Sequence, residues 1–243
     1  MAKKSYWQET YYPQPTEAEL KENAAYTVQK ASRKGQKLNP VVLTGRVISQ
    51  SWWGQAWCEN LERYADFETR LSRGQRYVRS GAVVDLQIKT GKITARVSGS
   101  RKTPYKVEIR ISPLSQERCD EIIERCGTRI DSLESLVSGK FPEALKDVFL
   151  AEGGLFPTPR EIGFNCSCPD WAMMCKHVAA ALYGVGARLD EDPLLFFTLR
   201  GIDTARFVDV VIANRIESML ANVDRPSSRI IQSSDISDLF GLT

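Results

Sequence analysis

Residues 166–177 read Cys166-Ser167-Cys168-Pro169-Asp170-Trp171-Ala172-Met173-Met174-Cys175-Lys176-His177, and the rest of the chain is organised around this stretch. It holds three of the six cysteines and the only histidine of the 243 residues. Thiolate sulfur and imidazole nitrogen are ligands that zinc prefers, and four of them complete a tetrahedral structural site. The pattern C-x-C-x6-C-x-H therefore predicts one structural zinc ion with four protein ligands: Cys166, Cys168, Cys175 and His177.

The spacing of the four ligands favours this interpretation. Cys166 and Cys168 point to the same side of an extended segment, because side chains alternate along a strand. Cys175 and His177 open an Ala-rich run that is typical of a helix, whose positive end helps to hold Cys175 as a thiolate. Lys176 offsets the single negative charge that three thiolates and a neutral imidazole leave on a zinc complex. The alternative is a group of three buried cysteines beside an ordinary histidine.

The residues around the ligands resemble a known family. The sequence C-x-C-P-D-W, a short gap, C-K-H and an Ala-rich helix is similar to the SWIM zinc finger of bacterial and archaeal proteins. The resemblance covers roughly residues 50–201 and includes these flanking segments: Trp52-Trp53-Gly54 with Trp57, residues 73–81, residues 97–101, Pro104-Tyr105 and residues 192–201. It implies a zinc-dependent module that binds nucleic acid or protein, often linked with Swi/Snf-type ATPases of the helicase superfamily.

Length and composition bound the class of protein. A chain of 243 residues suffices for one large domain or two small ones, and 42% hydrophobic with 26% charged residues is typical of a soluble globular protein. No apolar run approaches the ~20 residues of a membrane span, and the first residues lack the apolar core of a signal peptide. Because reduced cysteines at a metal site are typical of the cytosol, we expect a cytoplasmic protein that does not contact a membrane.

Charge is distributed unevenly along the chain. Residues 1–110 carry 20 Lys and Arg against 10 Asp and Glu, whereas residues 111–243 carry 13 against 20. The basic front half predicts contact with a polyanion, and the acidic back half predicts contact with a different partner.

Two basic segments carry the predicted nucleic-acid contacts. Arginines recur every third residue in 70–79 and indicate either phosphate binding or a solvated face. Residues 82–112 alternate as three antiparallel strands, whose polar face collects five cations against two acids. That face has no Phe or Tyr, which favours backbone contact over base stacking. With two cations from the loop after the second strand, the predicted contacts are Arg70, Arg73, Arg76, Arg79, Lys89, Lys92, Arg96, Arg101, Lys102, Lys106 and Arg110.

Helical patterns surround this predicted sheet. A capping box of Thr16 and Glu19 opens the first helix. In the second helix we interpret an aromatic stripe that includes Trp53 and Trp57 as core, the alternative being an exposed base-stacking platform. After Ser115 the patterns are mostly helical. The predicted fold class is α+β: N-terminal helices with a small antiparallel sheet, then a mostly helical half that contains the finger, pictured as a short β-hairpin packed on a helix.

The chain divides into four predicted segments: a basic α+β domain at 1–112, a helical connector at 113–160, the finger with its following helices at 161–222, and a flexible tail at 223–243. Short helices are expected in the connector at residues 132–137 and 142–151. Residues 224–243 interleave an apolar cluster with Ser and Asp, and either fold back or dock on another protein.

The common signatures of enzymes are absent from the sequence. It lacks a P-loop and a nucleophile elbow, and its single histidine is assigned to the metal. Cys58, Cys119 and Cys126 are interpreted as small buried hydrophobic residues. We therefore expect a non-catalytic accessory protein that binds nucleic acid, with DNA favoured, and a Swi/Snf-type ATPase or helicase. The alternative is a subunit that only assembles with protein partners, through the finger and the tail.

Overall fold

The computed structural model describes residues 14–130 and 141–221. Within these residues the chain is α+β, with eight α-helices and one four-stranded antiparallel sheet, which confirms the predicted fold class. The helix predicted at residues 132–137 and the tail at 223–243 lie outside the described residues. None of the helices in the described ranges combines the length and apolar character needed to span a bilayer.

The helices and strands follow one another in a simple order. The first half contains α1 (Glu17–Arg33), α2 (Trp52–Glu62), α3 (Glu68–Arg79), β1 (Val83–Lys89), β2 (Lys92–Val97), β3 (Tyr105–Ile111) and α4 (Gln116–Gly127). The second half contains a short 3-10 helix (Glu143–Leu145), α5 (Lys146–Leu150), β4 (Ile162–Cys166), α6 (Lys176–Glu191), α7 (Leu195–Arg200) and α8 (Thr204–Leu220).

Polar side chains set the starts of the early helices. The capping box predicted for α1 is present: the Glu19 N–H donates to Thr16 Oγ1 at 3.2 Å, and the Thr16 N–H donates to the Glu19 carboxylate at 2.7 Å. Ser51 caps α2 by accepting from the Gly54 N–H at 3.1 Å, and Ser115 caps α4 in the same way. Each cap satisfies a backbone N–H that the helix itself leaves unpaired.

The sheet has the strand order β1-β2-β3-β4. The three strands predicted over residues 82–112 are confirmed, and their inward residues, such as Ile93 and Ile109, are buried. The strand of the finger differs from the predicted local hairpin, because β4 pairs with β3, placing Cys166 opposite Val107. The edge of β3 that faces away from β2 offers backbone N–H and C=O groups with which β4 can pair along its length. The residues after β4 cannot form the second strand of a local hairpin, because the chain turns away at Pro169, which has no N–H to donate.

Helix α6 forms the centre of the core. It packs against α2, α3 and all four strands, and most of its residues are buried. It approaches α3 so closely at Gly74 that a Cβ there would lie 2.6 Å from the Cβ of Ala179. Trp53 and Trp57 are buried between α2 and α6, and the Trp57 indole N–H donates to the Leu182 carbonyl at 3.0 Å. The interpretation of the aromatic stripe as core is therefore confirmed.

Candidate metal centre

The four predicted metal ligands come together at one point of the fold. Cys166 ends β4, Cys168 lies in the turn that follows, Cys175 caps the N-terminus of α6, and His177 lies in its first turn. Their ligand atoms all lie within 4.8 Å of one another. The sulfurs of Cys166 and Cys175 lie 3.9 and 4.0 Å from His177 Nδ1. A tetrahedral zinc ion would separate such atoms by roughly 3.5–3.8 Å, so the cluster can hold one metal ion.

The sheet positions the first two ligands. Beyond the last residue of β4, the Ser167 N–H donates to the Lys106 carbonyl at 3.0 Å, and the Lys106 N–H donates to Ser167 Oγ at 2.9 Å. This pair extends the β3–β4 ladder past Cys166. The backbone between Cys166 and Cys168 is therefore held against β3 at Ser167, which fixes where the two cysteine side chains begin.

The residues at the start of α3 position the loop that leads to the third ligand. The Asp66 carboxylate accepts from the backbone N–H groups of Met173 and Met174 at 2.9 and 3.3 Å. Arg70 pairs with Asp170 at 3.1 Å, and both side chains are largely buried. These contacts hold the loop against α3 and bring Cys175 to the other ligands.

Aromatic rings and a glycine enclose the histidine ligand. His177 is 1% exposed, stacks on Tyr105 with ring centroids 4.1 Å apart, and meets the edge of Tyr77. A Cβ at Gly99 would lie 2.8 Å from the Tyr105 ring and 3.3 Å from His177 Nε2, so this position has no room for a side chain. The ring is therefore held with Nδ1 towards the sulfurs.

The pKa shifts within the cluster favour binding of a cation. Hydrogen bonding to Cys166 and Cys175 lowers the pKa of the Cys168 thiol, while hydrogen bonding to Cys168 raises the pKa of Cys166. The thiols thus stabilise one thiolate at the expense of another, and the charge of a bound metal ion would favour ionisation of all three. Burial lowers the pKa of His177, which keeps its imidazole neutral and able to bind metal near neutral pH.

The other cysteines have a different environment. Cys119 and Cys126 are buried and Cys58 is half-buried, in agreement with their prediction as small hydrophobic residues. Burial raises the pKa of Cys58 and of Cys126 to about 12, so these two thiols stay neutral. Within the described residues, the cluster of Cys166, Cys168, Cys175 and His177 is the one group of ligand side chains arranged to share a metal ion.

Comparison with known proteins gives one informative match. The chain is 38% identical over 160 residues to the uncharacterized protein Rv2102 of Mycobacterium tuberculosis. The match covers 65% of this chain and 57% of that protein, so it spans less than two thirds of the relative's length. No family model and no solved structure matches the chain. Since the relative is described only as uncharacterized, the similarity brings no activity or partner to this chain.

The four arginines predicted on residues 70–79 lie on α3 but do not form a uniform basic surface. Arg70 is neutralised by Asp170. Arg76 and Arg79 each donate to a backbone carbonyl, at 3.2 and 2.9 Å. Arg73 has no acidic partner within the described residues. Their role in binding nucleic acid stays a prediction.

The predicted cations of the sheet are partly neutralised. Glu108 pairs with Lys92 at 2.6 Å and with Arg110 at 2.8 Å, and Asp85 pairs with Arg96 at 3.6 Å. Three of the five cations on this face thus have an acidic partner. The other predicted contacts of the sheet and its loop are exposed and form no ion pair in the described part of the chain: Lys89, Arg101, Lys102 and Lys106.

A groove beside the metal ligands, called the finger groove below, was missed by sequence reasoning. It encloses about 620 Å³ and is lined by Arg73, Tyr77, Arg101, Tyr105, Trp171 and Lys176, with His177 and the Arg70–Asp170 pair. Trp171 is 81% exposed. The sequence could have indicated this residue, because Trp171 lies between the predicted ligands Cys168 and Cys175. The approach of Tyr77 and Tyr105 had no such signal, because it depends on contacts between distant segments.

Proposed function

We propose that this protein is a non-catalytic accessory protein with a SWIM-type zinc finger, which binds nucleic acid and works with a Swi/Snf-type ATPase or helicase. The observation that carries the proposal is the closed Cys3His cluster beside a groove in which three of the four lining cations have no acidic partner within the described residues. Protein atoms supply all four ligands, which leaves no position for a substrate and supports a structural metal.

The donor set supports zinc as the metal. Three sulfurs and one nitrogen that lie within 4.8 Å of one another suit zinc better than the hard cations that prefer oxygen. Bound zinc would join the end of β4 to the start of α6, and such binding contributes roughly 10–16 kcal/mol to the folding of short zinc modules. Cys166 and Cys168 would hold the ion from the sheet, and Cys175 and His177 from the helix.

The distribution of charge supports nucleic acid as the partner. Arg73, Arg101 and Lys176 line the finger groove without ion pairs in the described residues, and the front half of the sequence has an excess of cations. A polyanion bound there would release counterions, so its affinity would fall steeply with salt. The resemblance to SWIM fingers favours DNA and a Swi/Snf-type motor as the setting.

The nucleic-acid proposal is tested by fluorescence anisotropy with the full chain loaded with zinc. The probes are single- and double-stranded DNA and RNA of the same length at ~50 mM salt, with titrations repeated at higher salt. We expect the logarithm of the association constant to fall linearly with the logarithm of the salt concentration. Absence of binding to every probe at ~50 mM salt would overturn the proposal.

The metal proposal is tested by elemental analysis and thermal unfolding. We expect about one zinc per chain in the wild-type protein, and loss of zinc with a large fall in melting temperature in Cys168→Ser and Cys175→Ser. Cys58→Ala is the matched control, because this cysteine lies outside the cluster and should leave the zinc content unchanged. A wild-type protein that folds fully without metal would contradict the structural role.

A second candidate function is a purely protein-binding assembly subunit. It is supported by Ile216, Met219 and Leu220, which are 52%, 58% and 67% exposed at the end of α8. The test is purification of the tagged chain from its host after nuclease treatment, with and without residues 224–243. A nuclease-resistant partner that is lost on deleting the tail would favour this candidate, and a partner released by nuclease would favour the first proposal.

A further inference from the structure

The finger groove has the charge of an anion-binding site. Four cations line it, and the one acid among its lining residues, Asp170, is already paired with Arg70. Arg73, Arg101 and Lys176 form no ion pair within the described residues. Lys176 is also the first residue of the sixteen-residue helix α6, so its backbone lies at the positive end of that helix.

Two buried polar atoms at the groove have no partner among the described residues. Tyr77 is 0% and His177 is 1% exposed, both line the groove, and neither Tyr77 Oη nor His177 Nε2 has a hydrogen-bond partner in that part of the chain. With Nδ1 facing the sulfurs, the proton of a neutral imidazole lies on Nε2, so both atoms are donors. A buried donor without a partner is costly, and a ligand that shifts these side chains and brings them an acceptor such as a phosphate oxygen would relieve that cost.

An aromatic ring stands exposed at the same groove. Trp171 is 81% exposed, although its ring contacts Phe67 with centroids 5.6 Å apart and planes at 87°. Phe67 therefore supports the indole ring while most of its surface stays open. Proteins that bind single strands use such rings as platforms for bases, beside cations that contact the backbone.

We propose that the finger groove binds single-stranded nucleic acid, with a base stacked on Trp171 and the adjoining phosphate held by Arg73 and Lys176. This inference rests on the proposed function and names its substrate class and site. Single strands are favoured because the bases of a duplex are already stacked on their neighbours and offer no free face to an indole ring. The groove volume lies within the range of about 300–1,000 Å³ that is usual for ligand sites.

A peptide partner is the competing occupant. Trp171 and the nearby Met173, which is 72% exposed, would suit an apolar peptide. The cations that form no ion pair within the described residues argue for an anion instead, because an apolar peptide would bury these charges without partners.

The test uses the full, zinc-loaded chain and a fluorescein-labelled oligothymidylate of about 12 nucleotides, with a duplex of the same length as competitor. Stacking on one aromatic ring is usually strong enough that we expect Trp171→Ala to weaken single-strand binding about tenfold to hundredfold, while Trp171→Phe retains most of it. Arg73→Ala should weaken binding and lower the salt slope by about one. Arg160→Ala, an exposed cation outside the groove and outside the predicted contacts, is the matched control and should change little.

The outcomes separate this inference from the proposed function. Binding to nucleic acid that is unaffected by both Trp171→Ala and Arg73→Ala, or a clear preference for duplex, would overturn the groove assignment and leave the proposed function standing. Absence of binding to any nucleic acid would overturn both. Loss of a protein partner in Trp171→Ala, with oligothymidylate affinity unchanged, would assign the groove to a peptide. Zinc content and circular dichroism establish that each variant is folded, and Trp171→Phe provides a second, conservative measurement.

Discussion

The imidazole of His177 stacks on the ring of Tyr105, with centroids 4.1 Å apart and planes inclined by 24°. Tyr105 begins β3 and His177 lies in the first turn of α6, so the contact joins the sheet to a metal ligand. Groups that orient a ligand side chain commonly change metal affinity without touching the metal. We expect Tyr105 to act on the cluster in this way.

The first prediction concerns Tyr105. Tyr105→Ala should lower zinc affinity about tenfold to hundredfold, because the freed imidazole must be ordered again on binding. Competition with a chromophoric chelator measures the change. Tyr105→Phe keeps the ring and serves as the control, with affinity close to that of the wild type. Equal affinities of the alanine and phenylalanine variants would show that the stack does not position the ligand.

The second prediction concerns the crossing of α3 and α6. Gly74→Ala should destabilise the fold by about 1–3 kcal/mol in urea unfolding, because the added methyl meets Ala179 at 2.6 Å. Ser72→Ala, an exposed position on the same helix, is the control and should stay within about 0.5 kcal/mol. Ala179→Gly should cost less in the Gly74→Ala background than alone, since it removes one of the two colliding groups. Additive effects would contradict the contact.

The third prediction concerns stability in acid. Arg200 is fully buried and pairs with Glu161 at 2.5 Å. Burial raises the pKa of Glu161, but hydrogen bonds from Thr158 and Arg200 outweigh it and hold the pKa below its usual value of 4.5. Its contribution to stability is therefore complete above about pH 4.5 and disappears as the pH falls through the lower folded-state value. Glu161→Gln should destabilise the protein by about 3 kcal/mol near neutral pH, because the buried Arg200 loses its only charged partner within the described residues.

Urea unfolding between about pH 7 and pH 3 checks this prediction. The Glu161→Gln variant should lose less stability on acidification than the wild type does. Glu191→Gln is the matched control, because Glu191 pairs with Arg188 through a side chain that is 56% exposed. An exposed pair of this kind should contribute only about 0–1 kcal/mol. Identical acid profiles for Glu161→Gln and wild type would assign the acid sensitivity to other groups.

The fourth prediction separates the sheet face from the finger groove. Glu108→Gln releases Lys92 and Arg110 from their acidic partner and makes the polar face of the sheet more basic. If the groove is the main site, affinity for oligothymidylate should rise by less than about threefold. Anisotropy titrations measure the change, with Glu117→Gln as a control at an exposed acid on α4. A rise of about tenfold or more would place the polyanion on the sheet.

Local chemistry made much of the fold predictable. The capping box at Thr16 and Glu19 defined the start of α1, and the alternation of residues 82–112 defined three strands. The four metal ligands were predictable for a similar reason, since they lie within twelve residues and their spacing carries the geometry. Each of these features depends on neighbours along the chain.

The features that escaped prediction depend on distant segments. The pairing of β4 with β3 is decided by a free sheet edge, and the Tyr105–His177 stack follows from that pairing. The sequence also could not show which cations are neutralised by an acid, because Arg70 contacts Asp170 only when the loop after β4 packs on α3. A count of cations along the sequence cannot separate Arg70, which is paired, from Arg73, which forms no ion pair in the part of the chain that the structure describes.

The place of β4 beside β3 has a consequence for synthesis of the chain. Until residues 162–166 have left the ribosome, β3 presents a row of unsatisfied N–H and C=O groups to other nascent chains. A fragment truncated before residue 160 keeps that vulnerability permanently and should aggregate when expressed alone. Pairing with β4 therefore covers the edge of β3 with a short strand of five residues, and short edge strands are less prone to pair with other chains.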